Sequence, residues 1–106
     1  METSFAHERD DQGICIIRAR GEVDIETAPR LDAAIQEAIK TDPKSVLVDL
    51  TDVSFLDSSG MRVLVTAKRQ LEESGATFTI DGMSPALTRV FEIAGVLDLL
   101  ANPDAE

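Results

Sequence analysis

Apolar and polar positions alternate along this chain in two periods, and the period changes from segment to segment. Thr3 to Glu8 and Ile14 to Arg20 read as strands. The turn between them, Asp10-Asp-Gln-Gly13, is rich in residues that turns prefer, so the pair is expected to form a hairpin. Gly21-Glu-Val-Asp24 closes the second strand. Leu31, Ala34, Ile35, Ala38 and Ile39 then recur at helical spacing, behind Thr27 as N-cap and Pro29 in the first turn. Thr41-Asp-Pro-Lys44 stops that helix.

Ser45 to Leu50 is a nearly unbroken apolar run, the pattern of a strand buried on both faces. A second helix is expected to start near Ser59, with Val63, Leu64, Ala67 and Leu71 inward, and to end at Ser74-Gly75. Ala76 to Ile80 reads as a fourth strand. Ser84-Pro85 opens a third helix through Ala86, Leu87, Val90, Phe91 and Ala94, closed by Gly95. Val96 to Leu100 is expected to form a last short strand or helical turn, and Asn102 to Glu106 to fray. Strands alternating with helices imply parallel pairing and right-handed crossovers. With the opening hairpin, the expected fold is α/β, a single mixed sheet of four to five strands against three to four helices. At 106 residues the whole chain, 1–106, is expected to be one domain.

Composition narrows the functional classes. Hydrophobic residues make up 43%, enough for one core, but the aromatics are four Phe with no Trp or Tyr. The core is therefore expected to be aliphatic, with Phe55, Phe78 and Phe91 inside and Met61 and Met83 as packing. The net charge of -10 argues against nucleic acid, whose phosphates need Lys and Arg, and against an anionic membrane surface. It suits either solubility alone or a partner with a basic patch. Cys15, the single cysteine, lies in an apolar strand and reads as a buried, inert thiol. No signal peptide or membrane span is apparent near Glu2, His7 and Glu8, so a cytoplasmic location is expected. No metal-ligand spacing occurs, and no cofactor is expected.

The chemistry concentrates in Leu56-Asp-Ser-Ser-Gly60, between a strand and a helix, where α/β folds place functional groups. Ser58 and Ser59 have two readings. Their oxygens cap the helix, or one of them carries a phosphate, which free N–H groups and the helix dipole favour there. Asp57 would cap the helix or hold a serine hydroxyl. Gly60 would let another protein approach the backbone. Hydrolysis by an activated serine is disfavoured, because the only histidine, His7, lies in the first strand. Phosphoryl transfer to an aspartate is disfavoured too: Asp49 lies within a strand, Asp52 just beyond it, and the N-terminal acids fall in a hairpin. The chain has no phosphate-binding glycine loop, so a phosphorylated serine would make it substrate and switch, not kinase.

Gly21-Glu-Val-Asp24, Val48 to Gly60, Gly75, Ser84-Pro85 and Arg89 to Gly95 together resemble the STAS domain of bacterial anti-sigma factor antagonists, over nearly the whole chain. The resemblance implies a STAS fold and a regulatory binding protein, not an enzyme. It implies that the unphosphorylated form binds an anti-sigma factor with serine kinase activity and so releases a sigma factor. Phosphorylation of the serine directly after the turn aspartate, here Ser58, switches binding off, and a PP2C-type phosphatase restores it. Ser59 is the alternative acceptor. Asp57, Ser58, Ser59 and Gly60 would line the contact, with Gly21, Glu22 and Asp24 flanking it. Glu22 and Asp24 also admit a plainer reading as loop solvation or a helix cap. Met61 stands where relatives often have Leu, a volume-conserving exchange. Arg62 stands where a small residue is common, which bears on partner choice. A STAS module without a phospho-switch, serving as a scaffold or transport-complex subunit, is the other function this resemblance allows.

Overall fold

The computed structural model describes residues 2–95. Elements run β1 (Ser4–Arg9), β2 (Ile14–Val23), α1 (Ala28–Ile39), β3 (Ser45–Leu56), α2 (Ser58–Glu73), β4 (Thr77–Asp81) and α3 (Pro85–Ala94). Among the described residues this is one four-stranded mixed sheet in the order β1-β2-β3-β4, with three helices. β1 pairs antiparallel with β2, while β2–β3 and β3–β4 are parallel. Both parallel connections step the same way along the sheet. Crossovers of one hand therefore put α1 and α2 on the same face.

The core lies between that face and the helices. Val46, Val48 and Leu50 alternate inward on β3, and Cys15, Ile17 and Ala19 do so on β2. Leu31, Ile35 and Ala38 of α1 and Leu64, Ala67 and Leu71 of α2 meet them, and Leu87 and Phe91 of α3 complete one cluster. Phe91 is fully buried, as Phe78 nearly is. The third helix begins and ends as its sequence requires. Ser84 Oγ accepts the Leu87 N–H at 3.1 Å, Pro85 takes the first turn, and Gly95 closes at φ 74°.

Several sequence expectations need correction. β3 does not stop at Leu50 but continues through Leu56, so Asp52 lies within the strand. β2 likewise runs through Val23, which puts Gly21 and Glu22 inside it. The cause is continued parallel pairing, Arg20 with Asp52, Gly21 with Val53 and Val23 with Leu56, across two register shifts. Those bulges break the period-two pattern: the inward residues Leu50, Val53 and Leu56 fall three apart. β4 begins at Thr77 and ends at Asp81, one residue later at each end than expected. Phe55 is not core; it is 48% exposed. Val96 to Leu100 and the tail lie outside the described residues.

Candidate functional site

The extended β3 shortens the turn before α2 to one residue, Asp57. Helix α2 starts at Ser58, not Ser59. Asp57 is the N-cap: its backbone is extended, and its Oδ1 accepts the Ser59 N–H at 2.9 Å. The Asp57 N–H donates to the Val23 carbonyl at 3.1 Å, tying the start of α2 to the end of β2. With the cap supplied by Asp57, neither serine hydroxyl is needed for it. Among the described residues neither makes a hydrogen bond, and Ser58 is exposed while Ser59 is half-buried. The capping reading of the serines therefore fails on geometry. What remains is an unengaged alcohol at the first position of a sixteen-residue helix, facing solvent.

Gly60 does a different job from the one expected. It is buried and faces inward, not toward an approaching partner. A methyl group there would sit 2.7 Å from Val23 Cγ1 and 2.9 Å from Leu56 Cγ. Both neighbours are buried and packed, so the contact cannot relax cheaply. Gly60→Ala is expected to cost about 1–3 kcal/mol of stability by overpacking. Urea denaturation checks this, and an unchanged midpoint would show that β2, β3 and α2 yield freely there. Gly21, expected to flank the contact, is also buried. It has φ 94°, and a Cβ would meet Thr3 Cα at 2.8 Å, so it serves the β1–β2 junction.

Asp24 shapes the entry to α1. Its Oδ1 accepts the N–H groups of Glu26 and Thr27, each at 3.0 Å. Thr27 Oγ1 accepts the Asp24 N–H at 2.9 Å and sits 2.8 Å from the Glu22 carbonyl, which can take its proton. The helix cap expected from Thr27 alone is thus absent, and a reciprocal Asp24–Thr27 bracket replaces it. The Asp24 carboxylate thus braces the turn before α1 and does not cap the helix itself. Glu22 is exposed on β2.

The Thr27 backbone N–H, with its hydroxyl and the Glu26 N–H in support, holds the Asp24 carboxyl below the ordinary range, against some desolvation. In the middle of β3 Asp49 is lowered too, first by the Thr51 hydroxyl at 2.6 Å, then by the Thr51 N–H and the Arg18 charge. A carboxylate whose folded pKa is depressed adds stability that is complete above its unfolded value, about 4, and lost as pH falls through the folded value. The urea midpoint is therefore expected to be flat from neutrality to about pH 5 and to drop below about pH 4. Asp24→Asn with Asp49→Asn should flatten that acid limb. An unchanged limb would remove these two groups from the acid response.

Two residues that sequence reading missed stand at the same end of the sheet as Ser58. Ile25, in the turn after β2, is 77% exposed, and Phe55 lies opposite Glu22 near the end of β3. Ile25 carried only a weak signal: it is an apolar residue just past the Gly21-Glu-Val-Asp24 segment that closes the second strand, flanked by Asp24 and Glu26. Phe55 carried none, because the shifted register hid its outward side. Arg62, one turn into α2, is exposed. Asp57, Ser58 and Ser59 at the start of α2, Ile25 after β2 and Phe55 near the end of β3 thus share one end of the sheet, with Arg62 one turn along α2, while Gly21 and Gly60 are buried beneath.

Among the described residues no group of His, Cys, Asp and Glu is placed to hold a metal ion. Among the same residues no helix is long and apolar enough to cross a membrane. Comparison with known proteins is specific. The STAS domain family profile matches residues 8–104. The anti-sigma-B factor antagonist of Listeria monocytogenes is 35% identical over 99 residues, covering 93% of this chain and 86% of that protein. An anti-sigma factor antagonist from Mycobacterium paratuberculosis superposes with TM-score 0.82 at 26% identity, over 97% of this chain and 89% of the other. The antagonist SpoIIAA in its unphosphorylated form gives TM-score 0.78 at 25% identity, over 95% and 90%. The phosphorylated form of SpoIIAA, from Bacillus, gives 0.71 at 25%, over 95% and 94%.

Proposed function

The chain belongs to the STAS domain family, and from that premise we propose that it is an anti-sigma factor antagonist controlled by phosphorylation of Ser58. In this reading the unmodified protein binds an anti-sigma factor through the Ser58 corner, and the sigma factor held there is freed for polymerase. The work is done by binding, in the cytoplasm, where sigma factors meet polymerase. The observation that carries the reading is the Ser58 hydroxyl: exposed, without a hydrogen bond among the described residues, and relieved of capping by Asp57.

The anti-sigma factor acts as a serine kinase on its antagonist. Ser58 Oγ attacks the γ-phosphorus of ATP, the bond to the bridging oxygen breaks, ADP leaves, and the hydroxyl proton passes to a base on the kinase. The product carries about 1.5 to 2 negative charges where a neutral group stood. Its own helix tolerates them, because an anion at a helix N-terminus is favoured. An interface built around an alcohol does not, because a buried dianion without a new cationic partner costs several kcal/mol. A PP2C-type phosphatase resets the switch: water cleaves the phosphoester and inorganic phosphate leaves.

The test is a release assay. The cognate anti-sigma factor is loaded with sigma factor and passed over a sizing column with and without the unmodified protein. Free sigma factor should appear with the protein and a new complex should form. A sigma–anti-sigma complex untouched by excess protein would refute the assignment.

A further inference from the structure

Arg62 is the fifth residue of α2 and Ser58 the first. Side chains four apart on a helix share a face, with Cβ atoms about 5–6 Å apart. The structure places both on one groove of about 350 Å³ between α2 and the end of α3. Met61, Val65 and Ala94 supply its apolar walls and Arg69 its other cation. On a chain of net charge -10, no carboxylate among the described residues lines this groove. Among the described residues neither Arg62 nor Arg69 has an ion-pair partner. Nothing in the helix accounts for a cation at Arg62, since the dipole near a helix start does not favour one. The Ser58 hydroxyl, one turn away, is equally unengaged.

We propose that Arg62 is the intrachain counter-ion of phosphorylated Ser58, its guanidinium donating a forked pair of hydrogen bonds to the phosphoryl oxygens. The inference rests on Ser58 being the acceptor. Phosphorylation then does two things to the docking face: it adds negative charge, and it withdraws the nearest free cation from any partner carboxylate. A relative with a small residue at this position would have only the first effect. Among the described residues the remaining charges beside the phosphate are Asp57 at the cap and Arg69 farther along the groove, and α3 lines it with Ala94. Both remain in place when Arg62 is changed.

The test uses the full chain with phosphoserine inserted at position 58 by codon reassignment, so it does not depend on any kinase. Failure of a kinase to modify Ser58 would count against the acceptor reading and leave this measurement standing. The second ionisation of the phosphate, near pH 6 for an unperturbed group, is followed by 31P NMR. In the wild-type background it should fall at lower pH than in Arg62→Ala, by about threefold or more in the acid constant. Arg69→Ala should leave it near wild type. Equal midpoints for wild type and Arg62→Ala overturn the proposal, as does an equally large effect of Arg69→Ala. Should Arg62→Ala lose its native circular dichroism, Arg62→Gln supplies the same comparison with the side chain's length kept.

Discussion

Phosphoserine at position 58 is expected to lower affinity for the anti-sigma factor by at least about a hundredfold, equivalent to about 2.8 kcal/mol, with the circular dichroism spectrum unchanged. Ser58→Asp acts in the same direction with a smaller loss, because it carries one charge. The size of the effect follows from what each state asks of the interface. A serine hydroxyl buries at the cost of one hydrogen bond, whereas a phosphate loses the solvation of a dianion. The fold is insulated from the change. Asp57, not Ser58, holds the first turn of α2, and the Ser58 side chain touches no described residue by hydrogen bond. Calorimetry with the purified pair measures it. Full affinity of the phosphoserine protein, with a native spectrum, would show that charge at this corner does not control binding.

The second large effect is apolar. Ile25→Ala combined with Phe55→Ala should weaken the same complex by about 2–4 kcal/mol, since exposed aliphatic and aromatic anchors near the centre of an interface carry most of its energy. Ile25 at 77% and Phe55 at 48% exposure give up little packing in the free protein. The urea midpoint should therefore move far less than the affinity, within the range usual for surface substitutions. A parallel loss of stability would assign both residues to the fold, and unaltered affinity would place the contact elsewhere.

These effects show which parts of the protein were legible in its sequence. The helical stripes of Leu31, Ile35 and Ala38 and of Leu64, Ala67 and Leu71 were readable, because each repeats at the helical period on one buried face. Ser84, Pro85 and Gly95 marked the third helix because each has a local role fixed by backbone chemistry. The site was legible as a place, the strand-to-helix junction at Asp57-Ser58. Its internal division of labour was not. Pairing across two bulges carries β3 six residues beyond Leu50 and β2 three beyond Arg20, and a shifted register has no signature in a pattern of period two. The same shift turned Phe55 outward. Gly60 was misread for a related reason: a glycine shows that a side chain is absent, but only the positions of Val23 and Leu56 show which side needed the space. Asp24 and Thr27 were both plausible caps, and their mutual bracket is visible only in three dimensions.

Phosphosite mapping tests the proposed role of one atom, Ser58 Oγ, without intermediaries. The protein is incubated with its anti-sigma factor and magnesium ATP, and the modified residue is located by fragmentation mass spectrometry in wild type, Ser58→Ala and Ser59→Ala. A single phosphoryl group on Ser58 in wild type and Ser59→Ala, and none in Ser58→Ala, is the predicted result. Stoichiometric label in Ser58→Ala, or a wild-type phosphate on Ser59, would contradict it.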